Sequence, residues 1–262
     1  MSLHPSAIVS EKAQLGANAV VGPFAIIEDD VVIGDNCRID ASAQVLNGSR
    51  IGNDCRIGSG ALVSADPHYK GFDESISSGV VLGDGNIIRE YVTLHRSIEP
   101  GGNTVLGDGN FLMNGAHVGH DCVVGNDNTL ANNVLLGGHV IVGDFCFFGG
   151  AAVFHQFVRV GNYVMAQVMA GVSLDIPHYI TIAGVNFVSG INAVGLKRAG
   201  LSIEARKGIK EGYRRIYRGS EALAEILEAT QSEDFPDEVA QFYDFFREKS
   251  KKGVLTREKS AN

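Results

Sequence analysis

"LGDGNFLMNGAHVGHDCVVGNDNTLANNVLLG", residues 106–137, carries an aliphatic side chain at every sixth position: Leu106, Leu112, Val118, Val124, Leu130 and Leu136. The same step continues through Val142, Phe148, Phe154, Val160, Ala166 and Val172. Upstream it runs Val9, Leu15, Val21, Ile27, Ile33, Ile39, Val45, Ile51, Ile57 and Val63, and a shorter run, Leu82, Ile88 and Leu94, lies between the two. In a chain that is 45% apolar, twelve consecutive apolar hits arise by chance about once in ten thousand trials. Gly follows the repeat residue at 16, 22, 34, 52 and 58, and again at 107, 119, 125, 137, 143, 149 and 161.

A six-residue period of this kind resembles the left-handed parallel β-helix, a mainly β fold. Three six-residue units make one triangular coil of about 18 residues, and coils stack about 4.8 Å apart. The aliphatic residue points inward, and neighbouring coils bury each other's faces. The Gly after it is expected to turn the corner, where a positive φ is needed. Cys37, Cys55, Cys122 and Cys146 each fall four residues after a repeat aliphatic, so they read as small packing residues in one slot. Two segments break the period, near residues 64–81 and 95–104, and long loops in a repeat protein are usually functional or disordered.

Past Val172 the repeat fades and helical signals begin. Ser202 caps an expected helix from Ile203 that Gly219 stops. Ser220 caps a second, and a third spans roughly 236–249 with Val239, Phe242, Phe245 and Phe246 on one face. The tail after about Lys251 is polar and expected to fray. Charge shifts at the same place: residues 197–262 hold 14 of the 22 Lys and Arg but only 12 of the 30 acids. The expected organisation is a β-helix over 1–185, then a linker and a small helical domain over 186–262. The net charge of −8 argues against a general nucleic-acid binder. No run long and apolar enough to span a membrane is present, and the N-terminus lacks the layout of a secretory signal. The expected compartment is the cytoplasm.

The coil length makes a test of the histidines possible. Gly138 falls one coil above His120 and Gln156 two coils above it, with His139 and His155 beside them. Four of the eight histidines, including His117 on the same stretch as His120, therefore share one edge. Two chemistries fit. Three imidazoles can hold zinc with an open fourth position that activates water, as in carbonic-anhydrase-like members of this repeat class. Alternatively one imidazole is a general base for a hydroxyl, oriented by Asp121, with the Gly138 N–H open to a developing oxyanion.

"HVGHDC" (117–122), "LANN" (130–133), "GGHV" (137–140), "HQF" (155–157) and "GLKRAG" (195–200), in this order, resemble the UDP-N-acetylglucosamine O-acyltransferase (LpxA) family. "IRE" (88–90), "HR" (95–96) and "FFR" (245–247) extend the resemblance over essentially the whole chain. It implies a homotrimer that moves an (R)-3-hydroxyacyl group from acyl carrier protein to the glucosamine 3-hydroxyl of UDP-N-acetylglucosamine, the first step of lipid A synthesis. His120 matches the general base, Asp121 its orienting acid and Gly138 the oxyanion N–H. His117, His139, His155 and Gln156 match donor or sugar-nucleotide contacts, Lys70 a substrate-binding lysine, and Asn192 and Arg198 residues near the nucleotide. The resemblance implies no metal and no cofactor beyond the carrier-bound thioester. Three positions depart from the pattern. His68 stands where the family has an Asp that touches the sugar, Val194 replaces an acid, and Ala199 replaces an Arg. They keep open a variant acceptor such as a 3-amino sugar, which would give an amide. Val168, where long-chain enzymes have Gly, implies a shortened acyl pocket and a medium-chain donor.

Overall fold

The structure, a computed structural model, describes residues 1–256. From Ser2 to Ala183 the chain is a succession of short strands that visit three parallel sheets in rotation. Paired residues lie one coil apart, as in Val20 with Arg38 and Val105 with Val123. This is the left-handed parallel β-helix that the period predicts. The face holding Thr129–Leu130 is called the first here, that holding His117–Val118 the second, and that holding Val123–Val124 the third. The periodic aliphatics fill the prism: Val63, Leu94, Val118, Leu130 and Leu136 have no exposed surface. Each such side chain contributes about 1.5–3 kcal/mol by leaving water.

The glycines after the aliphatics do not turn the corners with positive φ. The left-handed residues lie two positions further on and are mostly not glycine: Asp121 (φ 59°), Asn133 (φ 59°), His139 (φ 59°), Phe157 (φ 69°) and Met169 (φ 60°). The glycines are required by close approach instead. A Cβ on Gly119 would stand 2.9 Å from the Gly138 nitrogen of the next coil, and one on Gly137 2.8 Å from that of Gln156. Coil stacking at strand spacing leaves no room there for a side chain.

The cysteines occupy the expected packing slots. All four are free and buried. Each thiol donates to a carbonyl of the following coil, Cys122 to Gly137 and Cys146 to Gly161, both at 3.1 Å. Asn86, Asn110 and Asn128 take the same slot in intervening coils; the amides of Asn86 and Asn110 each bridge two backbone carbonyls, and that of Asn128 donates to the Asn110 side chain and the Gly143 carbonyl.

Both excursions are shorter than the broken period suggests, because their ends lengthen the sheets. Leu62–Ala65 and Gly79–Leu82 are four-residue strands flanking the first, and Thr93–His95 and Asn103–Leu106 flank the second.

Ile180–Ala183 and Phe187–Ile191 form an antiparallel hairpin that closes the first sheet, with the expected 185/186 boundary inside its turn. Four helices follow among the described residues: α1 (Ala193–Arg198), α2 (Ile203–Arg218), α3 (Leu223–Ala229) and α4 (Asp237–Arg247). Ser202 caps α2 by accepting from the Ala205 N–H at 3.0 Å. α3 begins later than Ser220: its cap is Ala222, whose N–H is taken by Glu225. α1 was not expected, being too short to show a period. Phe242, Phe245 and Phe246 are buried core, as their spacing implies. Tyr179 donates to Gln241 at 2.8 Å and docks α4 on the end of the prism. The tail is not frayed as far as Thr256: Leu255 is buried, its carbonyl accepts from Tyr217, and Val254 bridges Asp175. A short apolar pair, Val254 and Leu255, outweighs the polar composition around it. Residues 257–262 of the expected helical domain lie outside the described residues.

Candidate active site at the histidine corner

His120 sits at the corner between the second and third faces. Strand His117–Val118 enters that corner and Val123–Val124 leaves it, so the turn itself presents His120 and Asp121 outward. His120 Nδ1 lies 2.8 Å from Asp121 Oδ2. A carboxylate accepts, so the imidazole donates from Nδ1 and keeps its lone pair on Nε2. Gly138 stacks directly above: a Cβ there would fall 2.5 Å from His120 Nε2. The coil arithmetic therefore holds at atomic level, and only glycine leaves the imidazole tip open.

Asp121 is itself held. Ser97 Oγ donates to Oδ1, and the Ile98 N–H donates to Oδ2 at 3.2 Å. The Asp121 N–H is taken by Thr104 Oγ1 at 2.8 Å. Burial raises the Asp121 pKa, but the hydrogen bonds from Ser97, His120 and Ile98 outweigh it and leave the carboxyl below its usual range. Ser97 and Ile98 come from the second excursion and Thr104 from the strand that follows it, so the loop grips the carboxylate and the strand holds its backbone. Neither Ser97 nor Thr104 was singled out in the sequence. For Ser97 the signal is a spacing of 24 from Asp121, one coil plus the loop, which becomes readable only once the loop length is known; Thr104 lies 17 residues from Asp121, close to one plain coil.

His139, in the next coil, stacks on Phe157 with ring centres 4.6 Å apart, and its Nε2 is 4.0 Å from Asp121 Oδ2. Burial lowers its pKa, the Asp121 charge opposing. His155 and Gln156 are exposed on the same corner, and His155 Nδ1 faces Lys252 Nζ at 3.2 Å. Lys251 lies over Phe157 at 5.2 Å, so the chain's end returns to this corner. No periodicity foreshadows that contact.

His117 belongs to a second group. Its ring lies 4.9 Å from that of His95 and 5.7 Å from that of His68, which the first excursion brings in with Lys70 exposed beside it. Burial pushes His117 down to about 4 and lowers His95 as well. Both are neutral at pH 7.

Three expected site residues lie elsewhere. Asn192 and Arg198 line a groove on the first face with Phe145, Phe147 and Met165. The Asn192 amide is committed to structure, capping α1 at Gly195 N–H (2.9 Å) and donating to the Tyr163 carbonyl (3.0 Å). Val168 is exposed at the corner between the first and second faces. A single chain does not bring these three residues to His120.

Comparisons with known proteins point to one family over most of the chain. Residues 175–255 match a family model described as UDP-N-acetylglucosamine O-acyltransferase, domain 2, and residues 30–65 and 103–138 match the bacterial transferase hexapeptide repeat. The acyl-carrier-protein–UDP-N-acetylglucosamine O-acyltransferase of Halorhodospira halophila is 41% identical over 97% of this chain and 98% of its own. The chain belongs to the UDP-N-acetylglucosamine O-acyltransferase family. The O-acyltransferase of the same description from a Janthinobacterium is 43% identical over 88% of this chain and 89% of its own. Among solved structures, the UDP-N-acetylglucosamine acyltransferase of Bacteroides fragilis superposes with a TM-score of 0.91 at 37% identity, covering 97% of this chain and 99% of that one. That of Francisella novicida gives 0.92 at 35%, covering 98% and 95%. These UDP-N-acetylglucosamine O-acyltransferase relatives favour acyl transfer over the zinc hydratase reading of the same histidines. No helix among the described residues is long and apolar enough to cross a membrane.

Proposed function

We propose that this chain transfers an (R)-3-hydroxyacyl group from acyl carrier protein to the 3-hydroxyl of UDP-N-acetylglucosamine, with His120 as general base. One observation carries the assignment: His120 is tied to Asp121 through Nδ1 while Nε2 stands open beneath Gly138. Nε2 takes the proton of the sugar hydroxyl as its oxygen attacks the thioester carbonyl. The Gly138 N–H, which makes no hydrogen bond among the described residues, meets the oxyanion. Collapse breaks the C–S bond, and the departing thiolate of the carrier takes the proton back from His120. The Asp121 carboxylate stabilises the imidazolium between the two steps. This reaction draws on the donor thioester alone for its acyl group.

A complete site needs a second copy of the chain. His139 stands beside His120, His155 and Gln156 share its corner, and the first excursion brings His68, with Lys70 two residues on, to His117, whereas the Arg198 groove lies on the first face and Val168 at another corner. In a trimer, one prism's histidine corner faces its neighbour's first face. Exposed apolar residues on all three faces, Val123, Leu135, Ile141, Phe147 and Val153 among them, supply the contact. Arg198 then binds the diphosphate through its planar fork, and Val168 bounds the acyl chain at medium length. The exposed Lys207, Lys210 and Arg214 of α2 suit an acidic carrier protein, in the cytoplasm.

The test is an assay with carrier protein bearing 3-hydroxyacyl chains of graded length, offered UDP-N-acetylglucosamine and its 3-amino analogue. Mass spectrometry of the product is expected to show an ester with a medium-length chain. An amide formed in preference would replace the acceptor, and a preference for the longest chain would remove Val168 from its role.

A further inference from the structure

His68, His95 and His117 each offer an imidazole nitrogen, and these three atoms lie within 4.8 Å of one another. Of the three, His95 is the telling one. Its Nδ1 lies 2.5 Å from the Asp66 carbonyl. A carbonyl only accepts, so Nδ1 carries the proton and Nε2 carries the lone pair. That Nε2 is buried and has no hydrogen-bond partner among the described residues, and the residue is 3% exposed. A buried acceptor without a partner costs about 1–3 kcal/mol, so something that accepts its lone pair is wanted there. His117 commits Nδ1 to Thr93 Oγ1 at 2.9 Å, which leaves its Nε2 free as well.

We propose that His68, His95 and His117 form a zinc site in the floor of the acceptor pocket. The ligand chemistry fits. Three neutral imidazoles suit zinc, and a second-shell carbonyl on Nδ1, as Asp66 supplies, fixes a ligating ring. Zinc at about 2.0–2.1 Å from each nitrogen sets them about 3.3 Å apart. His68, exposed on its loop, rotates to close the remaining distance. Two ligands arise from strands one coil apart, Thr93 pairing with His117, and only the third depends on the loop. Lys70 lies two residues from His68 but is exposed, so water screens its charge.

The consequence for turnover rests on the general-base assignment of His120. A divalent charge beside His117 opposes the imidazolium that forms on His120, three residues further along the same coil. The ion also occupies the space of the acceptor sugar. Zinc is therefore an inhibitor competing with the UDP-sugar, and no part of the acyl transfer.

The test uses the full-length protein stripped with chelator and titrated with Co²⁺, then Zn²⁺. One equivalent of Co²⁺ with the intense visible bands of a tetrahedral site is expected. His68→Ala, at an exposed position that does not threaten folding, is expected to weaken binding by more than about tenfold. His139→Gln, which disrupts the neighbouring His120, Asp121 and His139 group, is expected to leave it intact. Absence of tetrahedral Co²⁺, or binding indifferent to His68→Ala, overturns the site, whether or not the enzyme turns over. Zinc is also expected to raise the acceptor KM of wild type and not of His68→Ala. Tight zinc binding with an unchanged acceptor KM overturns the inhibition and leaves the His120 assignment untouched.

Discussion

Asp121 Oδ2 accepts a hydrogen bond from His120 Nδ1 at 2.8 Å, while its other oxygen accepts from Ser97, a residue of the second excursion. The acid thus orients the base, and the loop orients the acid. Asp121→Asn keeps the shape but presents an amide that can stabilise the wrong tautomer. It is expected to lower kcat by about 10²–10⁴ with little change in acceptor KM. Ser97→Ala acts one step removed and is expected to cost about tenfold in kcat, with the folded state intact by circular dichroism. If Ser97→Ala raises the acceptor KM and spares kcat, the loop serves the substrate and not Asp121.

Gly138→Ala tests the stacking of coils over the base. Its Cβ would fall 2.5 Å from the His120 ring, so the imidazole must swing aside. A fall in kcat of at least about 10² is expected with a near-normal melting temperature, because the side chain yields more cheaply than the coil. Full activity in this variant would mean that His120 does not need its present rotamer.

Lys70→Ala and Arg198→Ala are expected to raise the acceptor KM by about tenfold or more while kcat changes less, since both are assigned to ground-state binding. They lie far apart in one chain. Assayed at an acceptor concentration well below KM, where both variants are slow, a mixed heterotrimer of the two should recover part of the activity if sites form between copies. Unchanged KM in both variants would remove them from the acceptor site.

Acid sensitivity has a source outside the site. His178 Nδ1 accepts from the Asn162 N–H at 2.7 Å, and its ring meets the edge of Phe245. Burial, with Arg159 nearby, holds it down to about 4. The unfolded chain binds that proton near the ordinary value of about 6.5, so the unfolded state takes up more protons in between. The stability His178 provides is therefore full above about pH 6.5 and lost as pH falls toward 4, on the order of 1–3 kcal/mol. Urea midpoints measured across that window should fall less steeply for His178→Asn, whose amide oxygen accepts the same N–H without titrating. An unchanged slope would assign the acid sensitivity to other groups, such as the carboxylates.

The prism was legible because its period is strict: every repeat aliphatic of the central coils is buried, and the distance from His120 to Gly138 follows by counting. What the period could not show was geometry that depends on loop length or distant sequence. Ser97 meets Asp121 only after the second excursion is measured, and Lys252 meets His155 across 97 residues. The glycines were placed correctly and explained wrongly, since close approach and positive φ both select glycine and a sequence does not separate them. α1 was missed because six residues show no helical period. Asn192 and Arg198 could be named, but their distance from His120 within one chain was invisible until the three faces were assigned.

The most direct test of the central assignment is the turnover of His120→Ala, measured with acyl carrier protein donor and UDP-N-acetylglucosamine, alongside its oligomeric state and melting temperature. A folded assembly of wild-type size with acyl transfer lost by at least about 10³ is the result expected of a general base. Near-normal turnover in that folded variant would contradict it.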